Sequence, residues 1–232
     1  MPDPILLAPS ELDYMPIKCK RCYYLSKVKK ISLKNFPPPV FSNFDVVQQA
    51  YFKDKNSSEL TTDLPSGKIM QKDKMPGRVV STVLKDNKGR DFILGGRPDV
   101  VIQFDDNSYG IIDFKTTNIK EDKAESYRYQ LEAYRYIFTF PGATKTAQTP
   151  KLSPISHMGV LQFEPKLLSN HSENNCSIDL EMSYSKLEQD DDKFLSRIEM
   201  ILDILQLKEP PAINENCTDC LFVYKSFKTN EI

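Results

Sequence analysis

Two aspartates and a lysine, Asp99, Asp113 and Lys115, have the types and spacing of a cation-binding site. The residues at 100–104 and 109–115 read as two strands joined by a three-residue turn in which Asn107 tolerates a left-handed backbone. In that register position 99 pairs with position 113 across an antiparallel ladder, where opposed Cβ atoms lie about 4.5–5.5 Å apart. Lys115 lies two residues further along, so its side chain emerges on the same face.

This trio favours metal-assisted chemistry on phosphate esters. Directly opposed carboxylates cost stability unless a cation lies between them. Paired hard oxygen ligands suit Mg²⁺ or Mn²⁺, which keep several waters and accept a substrate phosphate as a further ligand. A lysine beside such an ion can orient or deprotonate the attacking water and offset charge on the phosphate. The alternative is a charged hairpin whose acids face solvent.

The ordered motifs around this hairpin resemble the PD-(D/E)XK nuclease superfamily. They match its P-D…(D/E)-x-K pattern, and the added G-x-x-D and Q-x-x-x-Y are similar to the RecB-like branch, which includes AddB-type nucleases and CRISPR-associated iron–sulfur exonucleases. The matching residues are Gly96, Pro98, Asp99, Asp113, Phe114, Lys115, Gln130 and Tyr134. The resemblance implies a restriction-endonuclease-like α/β core and a Mg²⁺ or Mn²⁺ ion held by the two aspartates and the Phe114 carbonyl. It also implies a water positioned by Lys115, and Gln130 and Tyr134 in contact with DNA.

The same resemblance implies DNA phosphodiester hydrolysis, by exonuclease action on single strands or DNA ends, and a partner protein of a repair or CRISPR-adaptation complex. On a helix expected at 45–52, Asp45 and Gln48 are the candidates to complete the metal site. Two alternatives stay open: a nucleic-acid-binding protein that kept the fold and lost turnover, and a restriction-type endonuclease. The sequence contains no Walker-type phosphate loop, which argues against ATP-driven helicase activity in this chain.

Four of the five cysteines form two C-x-x-C pairs, Cys19 with Cys22 and Cys217 with Cys220, while Cys176 stands apart. The pairs supply four soft ligands for a metal centre that joins the two ends of the chain. The segment C-K-R-C-Y-Y-L is similar to the C-P-R-x-Y-Y-L segment of iron–sulfur RecB-like enzymes, which implies a [4Fe–4S] cluster. Those enzymes have one cysteine before the core and three after it, so the two-plus-two division here leaves Zn²⁺ open.

A basic segment surrounds the first cysteine pair. Seven basic residues and no acid lie between positions 18 and 34, with Tyr23 and Tyr24 among them. Such a segment contacts DNA if Lys18, Lys20 and Arg21 reach phosphates and the tyrosines stack on bases. It is otherwise a solvated helix face with two core tyrosines.

Composition indicates one globular domain. The chain has 232 residues, 40% of them hydrophobic and 27% charged, with a formal net charge of −1, so any site for a polyanion must be a local patch. Without an apolar run of about 20 residues or a signal-like N-terminus, we expect a cytoplasmic protein.

We expect a mixed sheet of about five strands flanked by helices. The chain divides into a cysteine and basic segment (1–40), the nuclease core (41–208) and a cysteine segment (209–232). The predicted strands lie at 78–84, 92–94, 100–104, 109–115, 157–163 and 177–184, the helices at 45–52, 123–138 and 187–207, and the loops at 53–75 and 141–154.

Overall fold

The structure is a computed structural model that describes residues 3–13, 15–31, 39–70 and 75–229. Its strands are β1 (Ile5–Leu7), β2 (Gly67–Ile69), β3 (Val79–Val80), β4 (Leu84–Lys85), β5 (Asp91–Gly96), β6 (Val100–Phe104), β7 (Tyr109–Thr116), β8 (Ile155–Ser169) and β9 (Ser177–Leu187). Its helices are α1 (Met15–Lys18), α2 (Lys20–Lys27), α3 (Pro39–Tyr51), α4 (Glu121–Glu125), α5 (Arg128–Thr139), α6 (Asp191–Leu205) and α7 (Thr218–Thr229). Residues 32–38, which include Lys34 at the end of the predicted basic segment, lie outside the described residues.

A mixed five-stranded sheet in the order β2-β6-β7-β8-β9 forms the centre of the fold, as the sequence predicted in class and size. The β6–β7 hairpin has the expected register, with Val100 opposite Ile112 and Gln103 opposite Tyr109. Asn107 in the connecting turn has a positive φ of 65°, as expected for a residue that tolerates the left-handed region. Positions 99 and 113 are therefore opposed at the end of this hairpin.

The period of two along β7 separates the two cores of the protein. Ile112 and Phe114 lie in a cluster on one face of the sheet, together with Phe52, which follows α3. Ile111 lies on the other face, in a larger cluster that takes in α5 and α6. Asp113 and Lys115 alternate with Phe114, so their side chains emerge on the face covered by α5.

A second sheet carries the residues that precede Asp99. In it β5 pairs with β1 in parallel and with β3 and β4 in antiparallel register. The parallel pairing of β1 attaches the N-terminal segment to β5, because Ile5 to Leu7 lie opposite Phe92 to Leu94. The predicted strand at 92–94 therefore lies in a different sheet from the β6–β7 hairpin, although the order of the strands along the chain favours one antiparallel series.

The structure corrects four further predictions of local structure. The strand predicted at 78–84 is two short strands, β3 and β4, and the loop predicted at 53–75 contains β2, which pairs with β6 at the edge of the five-stranded sheet. The helix predicted at 45–52 begins earlier, at Pro39, where the fixed φ of proline suits a first helical turn. The helix predicted at 123–138 divides into α4 and α5 around Ser126 and Tyr127.

Among the described residues, no helix has the length and apolar character that a bilayer-crossing segment needs.

Candidate metal sites

The structure brings Asp99, Asp113 and Lys115 together at the end of the β6–β7 hairpin. The Lys115 Nζ atom lies 2.6 Å from an Asp113 carboxylate oxygen, and the Asp99 side chain accepts a hydrogen bond of 3.0 Å from the backbone N–H of Phe114. Asp113 is almost fully buried, whereas Asp99 and Lys115 are partly exposed. The three side chains therefore share one small volume with an opening on the Asp99 side.

Burial is the largest influence on the charges in this volume. Burial raises the pKa of Asp113 to about 7, the charge of Lys115 opposes that rise, and the nearby carboxylate of Asp99 adds to it. Burial lowers the pKa of Lys115, but the charge and hydrogen bond of Asp113 outweigh it and the pKa lies above its ordinary value. Lys115 is thus a charged ammonium near neutral pH, suited to orienting a water or a phosphate oxygen rather than to accepting a proton.

A divalent cation fits this donor set. Two carboxylates of opposed strands, one of them buried, lie beside each other and offer hard oxygen atoms, and a single lysine leaves the set with a net negative charge. Burial is the largest cause of the raised pKa of Asp113, so a cation bound at this carboxylate would offset the cost of burying its charge. Asp99, Asp113 and the neighbouring Phe114 carbonyl are the residues that would hold the ion.

Gln130 lies inside this site. Its side-chain amide donates a hydrogen bond of 2.5 Å to Asp113 Oδ1, and its amide oxygen accepts one of 3.4 Å from Lys115 Nζ. Gln130 therefore bridges the acid and the ammonium.

Tyr134, one helical turn further along α5, lies beside the strand that enters the site. Its hydroxyl donates a hydrogen bond of 2.7 Å to the carbonyl of Arg97, and its side chain is buried. It thus fixes the backbone two residues before Asp99.

Close packing around Gly96, the glycine of the G-x-x-D motif, leaves no room for a side chain. A Cβ atom at Gly96 would lie 2.8 Å from Pro9 Cδ and 3.0 Å from the Tyr134 hydroxyl.

We expect Gly96→Ala to lower the free energy of unfolding by about 1–3 kcal/mol, as overpacking does. It should also reduce any cleavage activity, because relief of the clash moves Pro9 or Tyr134. Denaturant titration measures the first effect, and Gly77→Ala is the control, since a Cβ there meets nothing within 4 Å. Equal stability of the two variants would contradict this account.

Sequence reasoning missed the residue through which α3 contacts the site. Gln49 Nε2 donates a hydrogen bond of 3.3 Å to Asp99 Oδ1. Gln48, one of the two candidates named from the sequence, bonds Thr116 Oγ1 instead, and Asp45 is exposed. Helical spacing from Asp45 predicted Gln48 instead of its neighbour Gln49. The residue that faces Asp99 depends on the rotation of α3 about its axis, which is set by packing near Phe52 and Phe114.

A second residue missed by the sequence is Asp13, a buried carboxylate behind Gln130. Burial raises the pKa of Asp13 to about 7, against hydrogen bonds from the Gln130 and Tyr129 backbone and the charges of Lys115 and Arg197. From about pH 4, the unfolded value, to about pH 7 the folded protein keeps a proton that the unfolded chain releases. Stability contributed by this group is present below pH 4 and is lost as the pH rises through 7.

We therefore expect Asp13→Asn, which keeps an oxygen acceptor and does not titrate, to gain stability relative to wild type as the pH rises from 4 to 7. The gain is on the order of 2–4 kcal/mol, since each pKa unit is worth about 1.4 kcal/mol. Urea unfolding at several pH values measures the difference. A difference between the two proteins that does not change with pH would show that Asp13 ionises normally.

A cleft leads to Asp99 from the α3 side. It has a volume of about 360 Å³, and its walls include Gln49, Lys53, Arg97 and Asp99. A larger cavity of about 580 Å³ between β2 and β6 shares the walls Ile69 and Met70 with it. Asp99 is therefore accessible from solvent through this cleft.

The four cysteines of the two C-x-x-C pairs converge, as predicted. Their Sγ atoms all lie within 4.8 Å of one another, and Cys19, Cys217 and Cys220 are buried. Cys220 Sγ is 3.3 Å from Cys19 Sγ and 3.4 Å from Cys22 Sγ, and Cys22 Sγ is 3.7 Å from Cys217 Sγ. Cys176 is exposed and outside the group. These four residues, here called the cysteine centre, could hold a metal.

The basic segment has an exposed side and a buried side. Tyr23 and Tyr24 are each only 1% exposed, so they belong to the core and the stacking alternative is not supported. Lys18 and Lys20 are exposed, whereas Arg21 donates a hydrogen bond of 2.7 Å to the carbonyl of Pro211 and helps join the two ends of the chain.

With this fold and site, the chain belongs to the PD-(D/E)XK nuclease superfamily, because residues 46–223 match the profile of that family. The chain is thus a member of a superfamily of metal-dependent nucleases that hydrolyse phosphodiester bonds. A comparison with curated proteins found no match. Among solved structures, the crystal structure of SSO0001 is similar, with a TM-score of 0.49 and 14% identity over 96% of this chain and 86% of that chain. Membership of the superfamily rests on the sequence match alone.

Proposed function

We propose that this protein is a Mg²⁺- or Mn²⁺-dependent deoxyribonuclease that acts as an exonuclease on single-stranded DNA or DNA ends. The observation that carries the proposal is the convergence of Asp99, Asp113 and Lys115 beside an open cleft, in a chain of the PD-(D/E)XK superfamily. In this proposal the whole chain forms one nuclease domain. Residues 41–208 are its core, and the two terminal segments belong to the same domain.

Each residue of the site has a role in this proposal. Asp99, Asp113 and the Phe114 carbonyl hold the cation, which when bound supplies a Lewis acid and lowers the pKa of its water. Lys115, held charged by Asp113, orients the attacking water and offsets charge on the phosphate.

Two residues of α5 orient the reacting groups. Gln130 keeps Asp113 and Lys115 in their mutual position through its two hydrogen bonds. Tyr134 fixes the backbone before Asp99 and, with Gln130, guides the DNA strand.

Exposed lysines in the N-terminal segment give the DNA a second contact with the protein. Lys18 and Lys20 are exposed in the segment of the cysteine centre, where they reach phosphates in sequence-independent contacts. Arg21 supports this surface through its bond to Pro211.

The cysteine centre holds a metal that joins the chain ends, and its spacing favours Zn²⁺ over the [4Fe–4S] cluster. In a tetrahedral site with metal–sulfur bonds of about 2.3 Å the sulfur atoms lie about 3.8 Å apart. In a cluster each cysteine binds a different iron, which separates the sulfurs to about 6 Å. The Sγ atoms here, three pairs of them 3.3, 3.4 and 3.7 Å apart and all within 4.8 Å of one another, are spaced more like those around a single ion. Metal analysis of purified protein tests this, since a brown, iron-containing protein would refute zinc.

Substrate choice is tested with matched DNA substrates and Mn²⁺. End-labelled linear single strands, linear duplexes and a circular single strand of the same composition are incubated with the protein, with Lys115→Ala as the inactive control. We expect short products from the linear single strand and an intact circle, because an exonuclease needs an end. Cleavage of the circle would replace the exonuclease proposal with an endonuclease, and equal activity of Lys115→Ala would refute the site itself.

A DNA-binding protein without turnover is the second candidate. The observation in its favour is that α3 directs the neutral amide of Gln49, rather than a carboxylate, at Asp99. It predicts salt-sensitive DNA binding with no product in Mg²⁺ or Mn²⁺, and metal-dependent turnover above one cleavage per protein eliminates it.

A further inference from the structure

Asp13 occupies the amino end of α5 although it lies more than one hundred residues away in the sequence. Its Oδ1 atom accepts a hydrogen bond of 3.1 Å from the backbone N–H of Gln130. The first N–H groups of a helix have no intrahelical partner. The local N-cap residue, Tyr127, provides no side-chain hydrogen bond. Asp13 therefore caps α5 from outside the helix.

The residue that Asp13 holds is the one that organises the acidic site. Gln130 is fixed at its backbone by Asp13, while its side chain bonds both Asp113 and Lys115. The charge of Lys115 also acts on the Asp13 carboxyl group and lowers its pKa. A shift of the first turn of α5 would thus move the amide that keeps the acid and the ammonium together.

The backbone at Asp13 is itself clamped. The guanidinium of Arg197, on α6, donates a hydrogen bond of 3.2 Å to the carbonyl of Leu12 and a longer one of 3.5 Å to that of Asp13. The same guanidinium lies 3.9 Å from the centre of the Tyr129 ring. Arg197 of α6 therefore holds both the N-terminal segment and α5 at the position where Asp13 caps the helix.

The burial of Asp13 has an energetic cost that packing alone does not explain. The side chain is 8% exposed, and among the described residues its Oδ2 atom is buried with no hydrogen-bond partner. A buried unsatisfied oxygen is unfavourable, and an apolar residue would fill the same space without that cost. What the carboxylate provides in return is the bond to the Gln130 N–H.

We propose that Asp13 is a positioning residue of the nuclease site, which holds Gln130, and through it Asp113 and Lys115, in the geometry that the metal and the phosphate require. This inference rests on the proposed function. It assigns a role in the reaction to the N-terminal segment, since Asp13 lies only six residues before Cys19 of the cysteine centre.

The test compares Asp13→Ala with Asp13→Asn, which keeps an oxygen at the same distance along the side chain. We expect Asp13→Ala to lower kcat about 10- to 100-fold, since small misplacements of catalytic groups have such effects, and to raise the Mn²⁺ concentration for half-maximal activity. KM for DNA should not change, and Asp13→Asn should stay within about threefold of wild type in kcat. Asp190→Ala is the matched control, because Asp190 caps α6 through the Lys193 N–H and lies outside the site. It should lose stability with no change in kcat.

A double-variant cycle separates positioning from general stability. In a Gln130→Ala background the further change Asp13→Ala should lower kcat less than about threefold, because the group it positions is gone. The proposal would be overturned if the reductions in kcat caused by Asp13→Ala and Gln130→Ala multiply in the double variant. It would also be overturned if Asp13→Asn lowers kcat as much as Asp13→Ala. If Asp13→Ala does not fold, Asp13→Glu, which displaces the carboxylate by one methylene, takes its place in the cycle.

Calorimetric titration with Mn²⁺ distinguishes failure of this inference from failure of the proposed function. A wild-type protein that cleaves DNA, with an unaffected Asp13→Ala, overturns the inference alone. A wild-type protein that binds Mn²⁺ without cleaving refutes the proposed function, and the role of Asp13 is then judged by whether the same variants weaken Mn²⁺ binding in the same order. A protein that does neither overturns both.

Discussion

Replacing Asp113 by asparagine should abolish DNA cleavage while the protein stays folded. We expect Asp113→Asn to lower kcat by about 10³-fold, because it removes the buried ligand of the cation and the partner that keeps Lys115 charged and in place. The free energy of unfolding should not fall, since Asp99 and Lys115 remain as one acid and one base. Single-turnover cleavage of labelled single-stranded DNA in Mn²⁺ measures the first effect, and thermal unfolding the second.

The control for this variant is the same substitution in the turn of the same hairpin. The side chain of Asp106 accepts a hydrogen bond of 2.8 Å from the Ser108 N–H, which asparagine can keep, and it lies at the far end of β6 from Asp99. Asp106→Asn should therefore cleave like wild type. If Asp113→Asn retains cleavage above about one tenth of the wild-type rate, the placement of the reaction at this hairpin is incorrect.

Loss of one ligand of the cysteine centre should produce the largest change in stability. Cys220 contacts both Cys19 and Cys22, and the centre fastens the N-terminal helices α1 and α2 to the C-terminal helix α7. We expect Cys220→Ser to release the metal and lower the free energy of unfolding by roughly 4 kcal/mol, which for a chain of this size corresponds to a Tm lower by about 8–16 °C. Calorimetry and metal analysis of the purified variant measure both effects.

Two comparisons make this result specific. Cys176→Ser removes an exposed cysteine outside the centre and should leave Tm and metal content unchanged. A strong chelator should lower the Tm of wild type toward that of Cys220→Ser and have little further effect on the variant. A variant that keeps the wild-type Tm would mean that the hydrogen bonds of Arg21 to Pro211 and of Tyr24 to the carbonyl of Leu207 suffice to hold the ends together.

The parts of the site that could be predicted are those written in short-range patterns. The period of two and the Asn107 turn determine the β6–β7 register, and the register brings Asp99 opposite Asp113. The helical spacing of Gln130 and Tyr134 places both on one side of α5. The convergence of the cysteines also follows from their types, since two C-x-x-C pairs supply four thiols that suit one shared metal.

The parts that could not be predicted depend on how distant elements pack. The three residues of β2 lack the length and alternation of a strand signal, and only pairing with β6 makes them one. The parallel pairing of β1 with β5 joins residues about ninety positions apart, for which a single sequence carries no local signal. The contact of Gln49 with Asp99 likewise depends on the rotation of α3 over the sheet.

The sequence by itself determined the acidic hairpin, the lysine beside it, the α5 motif and the four residues of the cysteine centre, because each depends on residue type and on spacing within one or two elements. Only the tertiary structure decided which residues support that site from a distance, above all Asp13 and Gln49. Their effect comes from burial and from single hydrogen bonds to Gln130 and Asp99, and the free energies of such contacts depend on the positions of atoms that no local pattern encodes.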